Sequence, residues 1–488
     1  MSQIRRAVIF SSITRYSVML VGMVSMMAVA RLLTPDEIGT FAIASGIVML
    51  ISEFRILGAG VYLVRETELS PAKVRAALGL TILISWGLGL IIILAAPLAA
   101  DFYELPPVAT VFRILSLTFF LAPFISLPSA LFSRHLKFNL LFRMQFTGSL
   151  VALVVTLTLI YAGMSFYSLA WGQVAGAFTK CLIVNALIRP SAMVYIPGFS
   201  GIRAIASLGV FNSAAGILRK AAVVLPDMVI GKMGTTFEVG MFSRGMGLTQ
   251  FVSETLMRGV SPVALPYLSG TRRQGGDVSF AYQRASVLLG GLVWPVLVVG
   301  SLASLPAIRL FFGNQWDAAA PLVAWLTLWA ALRAVHWFSN DVLVAMHREK
   351  IMVIKDFFVF ALLVIGVIWA YPGGLERIAQ VFMVVGFFEV LLTTWVLRNC
   401  IDLQPMAFAR AWVPNLVVAV GCALITLAVR QWLDFDLAPA WQPVAALALA
   451  IPPFWLLLLY LLGHPLFTEI QGILRSIQGI LRSRRKQK

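Results

Sequence analysis

Charge is scarce in this chain: Asp, Glu, Lys and Arg make up 12% of its 488 residues, against 60% apolar residues. A water-soluble surface on a protein of this length needs far more charge, so a soluble globular protein is excluded. Cysteine is scarce as well. Cys181, Cys400 and Cys422 stand apart without a CxxC, so no structural disulfide is expected. The histidines His135, His336, His347 and His464 are scattered and form no HExxH. No Ser/His/Asp or Cys/His set assembles, no metal-ligand spacing occurs, and no GxxxxGK phosphate loop is present. The connections between apolar runs are short. They leave no room for a nucleotide-binding domain inside, nor outside for the catalytic groups of a sugar polymerase or ligase. Neither an enzyme nor a cofactor or metal is expected.

What the chain has instead is apolar runs of about twenty residues, the length a helix needs to cross hydrocarbon. A transmembrane β-barrel would alternate polar and apolar residues in short segments, and this chain does not. The expectation is an all-α polytopic membrane protein with about 14 spans. They lie near 8–30, 40–63, 78–100, 108–132, 144–163, 166–188, 204–228, 238–268, 285–311, 320–345, 352–371, 376–397, 411–429 and 438–462. The run after Arg5 and Arg6 is too long for a signal peptide and reads as the first span. Basic residues cluster in alternate loops, including Arg65, Lys73 and Arg75; Arg134, Lys137 and Arg143; and Arg348, Lys350 and Lys355. The opposite loops hold little beyond Arg31, Lys232, Arg377 and Arg430, so both termini are expected in the cytoplasm. The net charge of +17 is spread over these small clusters and does not point to nucleic acid. The tail repeats IQGILRS at 470–476 and 477–483, with Ile470, Ile473, Leu474, Ile477, Ile480 and Leu481 on one helical face. That pattern suits a helix lying on an anionic bilayer.

The chain also contains itself. Shifted by 201 residues, Arg31–Gly60 falls on Lys232–Ser261 without a gap: Thr34, Gly39, Phe41, Gly46, Ser52, Glu53 and Gly58 meet Thr235, Gly240, Phe242, Gly247, Ser253, Glu254 and Gly259. Apolar segments share Leu and Val readily. Matches of Gly, Thr, Ser and Glu are more specific, and they indicate two similar halves, an arrangement typical of transporters. Pro226 beside Asp227, and Pro262 with Pro266, are the better hinge candidates among many span prolines.

Charges at membrane depth cost roughly 2.5–3.5 kcal/mol each on insertion scales, so they carry functional weight. The cations are Arg15, Arg55, Arg113, Arg219, Lys220, Arg244, Arg258, Arg309 and Arg333; the acids are Glu53, Asp227, Glu254, Asp341 and Glu389. Cations outnumber acids, which suggests an anionic ligand. Arg244, Gly247, Glu254 and Arg258 fall within about 80° on a helix at 100° per residue. Asn212, Gly216 and Arg219 share a stripe, as do Arg333, His336, Trp337 and Asn340 with Asp341 at the edge, and Ser11, Arg15 and Gly22. Such stripes suggest a water-filled cationic cavity. Arg15, Arg219, Arg244, Arg258 and Arg333 are its candidate ligand-binding residues; Glu53, Asp227, Glu254 and Asp341 are candidates for ion coupling or charge pairing. Arg113, Arg309 and Glu389 read as structural, paired or reaching an interface. Guanidinium binds phosphate bidentately, and Glu254 is placed to hold Arg258 when no ligand is bound.

The segments ARLLTPDEIGTFAIA, LPDMVIGKMG, EVGMFSRGMGL, VSPVALPYLS and LFFGNQWDAAAPL resemble the Wzx-type flippases, the polysaccharide-transporter branch of the multidrug/oligosaccharidyl-lipid/polysaccharide (MOP) superfamily. The resemblance runs in register through about residue 350. It implies two pseudo-symmetric six-helix lobes, 1–200 and 201–400, with two further helices in 401–465 and a basic amphipathic cytoplasmic tail in 466–488. It also implies a bacterial inner-membrane flippase that moves an undecaprenyl-pyrophosphate-linked oligosaccharide by alternating access, for O-antigen, capsule or exopolysaccharide synthesis. Coupling to H+ or Na+, and partnership with the polymerase and chain-length proteins of the same pathway, are further implications. The alternatives are a multidrug cation antiporter of the same superfamily, which would want a more acidic cavity, and a membrane-embedded polymerase or ligase.

Overall fold

The structure is a computed structural model that describes residues 2–56, 62–63, 66, 68–135, 137–187, 196–202, 205, 210–258, 261–472 and 475; the side chains of 2–15, 56, 187, 210–215, 258 and 261–266 fall outside that description. Seventeen α-helices are bounded within it, and no strand occurs among the described residues. They are α1 (Ser2–Leu32), α2 (Pro35–Glu53), α3 (Pro71–Tyr103), α4 (Pro106–Arg134), α5 (Phe138–Tyr161), α6 (Tyr167–Leu187), α7 (Val210–Met233), α8 (Thr236–Arg258) and α9 (Ser261–Arg273). There follow α10 (Val278–Leu302), α11 (Ser304–Phe311), α12 (Ala320–Val335), α13 (Ser339–Ala345), α14 (Glu349–Ala370), α15 (Leu375–Ile401), α16 (Pro405–Trp432) and α17 (Trp441–Leu461).

Among the described residues, ten helical segments are long and apolar enough to cross a membrane: α2 to α5, α10, 314–345, 349–373 and α15 to α17. Helices also occupy the other four expected positions, α1, α6, α7 and α8. The described part of α1, Tyr16–Leu32, is apolar but short; α7 carries Arg219, Lys220 and Asp227, and α8 carries Glu238, Arg244, Glu254 and Arg258.

Three expected spans are broken. The run 238–268 divides between α8 and α9, with Pro262 in the first turn of α9. Proline has no N–H to give and is tolerated in a first turn, where none is needed. Pro266 and Pro226 lie inside α9 and α7. The run 285–311 divides at Ala303 into α10 and α11, and 320–345 divides at residues 336–338 into α12 and α13. Lys355 is not a loop residue as its place in the charge pattern suggested. It lies in the second turn of α14, 4% exposed, because Asp356 beside it supplies the opposite charge.

Two compact units divide the chain, residues 1–243 and 244–488. In the first, α3 packs on α4, α5 on α6, α4 on α6, α1 on α5 and α2 on α7. In the second, α10 packs on α12, α14 on α15 and α12 on α15. The first three pairings of the first unit therefore recur, in chain order, in the second. Register explains part of this: α1 ends at Leu32 and α7 at Met233, while α2 starts at Pro35 and α8 at Thr236, each pair 201 apart.

In the second unit α16 packs on α10, and α17 on α16. Residues 465–472 continue as helix, with Leu466, Phe467 and Ile470 against the Val418, Cys422 and Leu459 cluster. Apart from residue 475, the amphipathic tail expected beyond 472 lies outside the described residues.

Candidate functional site

The starts of α2 and α8 are built alike. Thr34 caps α2: its Oγ1 accepts from the Glu37 N–H at 3.3 Å, and Glu37 Oε2 accepts from the Thr34 N–H at 2.8 Å. Thr235 and Glu238 repeat both bonds at 3.2 and 2.9 Å. This reciprocal box satisfies donors that a helix start leaves open.

The two starts then meet. A Cβ on Gly39 would run into the Thr236 carbonyl oxygen, and a Cβ on Gly240 into that of Pro35. Pro35 and Thr236 are themselves 201-register partners, as are the two glycines, so the contact is reciprocal about a local two-fold. Thr236 Oγ1 donates to Asp36 Oδ1 at 2.6 Å, and Ser165 Oγ donates to Glu37 Oε1. Lys232 Nζ donates to the Phe102 carbonyl at 2.7 Å, pairs with Glu104 at 3.2 Å and lies 5.0 Å above the Phe102 ring. Four connections that the charge bias assigns to one side of the membrane thus converge on one point. Each fact here belongs to the first unit.

The candidate cations are distributed as follows. Arg15 and Arg258 belong to α1 and α8, and their side chains lie outside the described residues. Arg219 and Asp227 are half-buried on α7. In the second unit Arg244 is half-buried, its guanidinium 5.9 Å from the Trp316 ring centre. Arg333 stands 4.9 Å from the Trp329 ring centre and 3.7 Å from Glu389. Stacking on an indole orients a guanidinium plane and leaves its edge donors available. Glu53 ends α2, and Glu254 and Asp341 are half-buried on α8 and α13. Arg309, read as structural, grips Asp317 through Nε and Nη2 at 3.0 and 2.8 Å and the Asp436 carbonyl through Nη1 at 2.6 Å. Arg113 is exposed on α4.

Sequence reading placed His336 on a polar stripe but missed what it ties together. Its ring joins Tyr282 of α10 and Thr394 of α15, near a buried Lys355–Asp356 pair on α14. The signal available was a Lys-Asp dipeptide one turn inside an apolar run. Among the described residues, no three His, Cys, Asp or Glu side chains are grouped to hold a metal ion.

An internal repeat and helices of membrane-spanning length define a polytopic helical membrane protein. The chain belongs to the polysaccharide biosynthesis protein family, whose model matches residues 28–321. It is 22% identical over 453 residues to the lipopolysaccharide biosynthesis protein WzxC of Escherichia coli K12, covering 88% of this chain and 87% of that one. To the teichuronic acid biosynthesis protein TuaB of Bacillus subtilis 168 it is 19% identical, covering 76% and 78%. Its fold matches the lipid II flippase MurJ with a TM-score of 0.74 at 15% identity, over 93% of this chain and 99% of that one. It also matches a multidrug resistance MATE family transporter of the MOP superfamily with a TM-score of 0.65 at 13% identity, over 83% and 99%. The family is one of polysaccharide biosynthesis, and the fold is the one these membrane transporters share.

Proposed function

We propose that the protein carries an undecaprenyl-pyrophosphate-linked oligosaccharide from the cytoplasmic to the periplasmic leaflet of the inner membrane by alternating access, for O-antigen, capsule or exopolysaccharide synthesis. The observation that carries this reading is the reciprocal contact between the starts of α2 and α8. Each start keeps its own capping box, so the contact can break without unravelling either helix. What joins them is backbone-on-backbone approach and a few hydrogen bonds, each worth roughly 0.5–3 kcal/mol net. A total of a few kcal/mol is within reach of a ligand that prefers one state over the other.

The connections that meet here belong, by the positive-inside rule, to the periplasmic face. The contact is then the periplasmic gate between lobes 1–200 and 201–400, and loading occurs from the cytoplasmic side. The pyrophosphate suits Arg219, Arg244, Arg258 and Arg333, with Arg15 from the first helix; Glu53, Asp227, Glu254 and Asp341 serve charge pairing or ion coupling. The curated relatives act in lipopolysaccharide and teichuronic acid biosynthesis by name, and MurJ is a lipid II flippase, which supports a lipid-linked sugar. The surplus of cations speaks against a multidrug cation antiporter.

The test uses Asp36→Cys with Thr236→Cys in a chain whose native cysteines are serine, reconstituted with a lipid-linked oligosaccharide. Oxidation should stop translocation and a reductant should restore it. Full translocation by the cross-linked protein would remove the gate, and export of an organic cation with no lipid movement would replace the flippase by the antiporter.

A further inference from the structure

In the first unit α6 presents two open faces, about 180° apart at 100° per residue. Trp171, Phe178 and Leu182 are exposed on one, as suits lipid. Exposed Gln173 and half-buried Lys180 share the other. Lys180 is a cation inside a span that belongs to none of the arginine stripes, seven residues from the Leu187 end of α6.

Close packing fixes its stem. α5 and α6 approach through glycines: a Cβ on Gly176 would stand 2.8 Å from the Gly148 carbonyl oxygen, and one on Gly172 would run into Thr156 Oγ1. A Cβ on Gly148 would stand 2.5 and 2.7 Å from Lys180 Cγ and Cε. The stem therefore crosses α5 at the level of Gly148 and Gly176, one turn of α6 further from the Leu187 end than its own Cα. Side chains on a helix lean toward its N-terminus, here away from the nearer membrane surface. A lysine that only reached for that surface would lean the other way.

The amine faces no acid. α6 packs on α4 and α5, and α1 packs on α5. None of these four helices carries an Asp or a Glu. Among the described residues Lys180 has no ion-pair partner. A charge at membrane depth without a counter-charge is costly, and such residues mark ligand paths.

We infer that Lys180 is a specificity residue that binds an acidic sugar of the transported glycan through its carboxylate. Charge count decides between the anionic parts of the cargo. A pyrophosphate carries more than one charge and is best matched by several guanidinium forks. Lys180 offers one compact charge. The other cation of α5 and α6, Arg143, lies about 140° round α5 from Gly148. A carboxylate carries a single charge and balances a single ammonium. Gln173, about 10 Å along the same face, offers an amide donor and acceptor for sugar hydroxyls.

This inference rests on the transport reading, so its test begins with binding. Two probes are used: a polyprenyl pyrophosphate carrying a disaccharide that ends in glucuronic acid, and the same lipid with glucose in that place. They differ in one carboxylate, so the wild-type comparison stands whether or not a variant folds. The full chain in nanodiscs should bind the glucuronic acid probe about tenfold tighter. Lys180→Met, which removes the charge at similar volume, should abolish that preference and leave binding of the glucose probe within about twofold of wild type. Equal binding of the two probes by wild type, a preference that survives Lys180→Met, or equal loss on both probes overturns the sugar site and leaves the flippase reading standing. Equal loss would place Lys180 on the pyrophosphate. Binding as stated by a protein that moves neither probe across a liposome membrane removes the flippase reading and keeps the site.

Discussion

Gly39 and Gly240 are glycines because another segment's backbone lies where their side chains would be. Gly22 on α1 has nothing within 4 Å of such a position and serves as the contrast. Gly240→Ala should push the two helix starts apart. A cysteine at Asp36 would then label faster, by several-fold, with a membrane-impermeant maleimide added outside, while Gly22→Ala leaves the rate unchanged. Equal rates in the two variants would mean that the contact yields without opening. The matching Thr34 with Thr235 and Gly39 with Gly240 were legible in the sequence because capping and turn chemistry restrict residue type, while the Glu37 and Glu238 that complete the capping boxes went unread. That each glycine rests on the other copy was not legible, since self-similarity says which segments are alike and not which segments touch. Lys355 was misread for a related reason: a lysine near a span end ordinarily faces water, and only its buried partner reverses that.

At the scale of elements, hydropathy located the helices well and their breaks badly. An apolar run that stops being helical at Ala303 or at 336–338 has no proline or glycine at the stop itself, whereas Pro262 marks the third break by its missing N–H. The junction of α10, α16 and the segment after α17 was equally hidden. Gly290 and Gly291 admit Asn415 and Trp412 of α16 and His464 to within 2.5–3.2 Å of where a Cβ would stand. His464 Nε2 donates to Asn415 Oδ1 at 2.7 Å while its Nδ1 accepts from the Leu466 N–H at 3.1 Å. Burial holds this ring below its ordinary value. Below about pH 6.5 the unfolded chain binds a proton that the folded one resists, so stability falls as pH drops through that point and is insensitive to it above. His464→Gln should flatten the fall in thermal midpoint between about pH 6.5 and 5. An unchanged slope would place the sensitivity elsewhere.

At the scale of the molecule, the recurrence of the pairings α3–α4, α5–α6 and α4–α6 as α10–α12, α14–α15 and α12–α15 shows what duplication conserves: neighbours more than register, which has drifted from 201 to 211 between Phe138 and Glu349. The fold class was legible because hydrocarbon demands it. The site was legible only as a list of charges, since helical phase does not say which stripe meets which. Arg219→Ala should lower surface glycan in a complementation assay at equal protein level, by roughly ten- to a hundredfold for one lost charge-assisted contact, whereas exposed Arg113→Ala should not. Equal loss in both would remove Arg219 from the substrate path. The local two-fold also has a genetic consequence. Once Gly39→Ala has parted the helix starts, Gly240→Ala meets a gap that already exists, so the double variant should be little worse than either single one. The two positions, though 201 residues apart, should be inherited as a single trait: held together while the contact lasts, and free to drift together once it is gone.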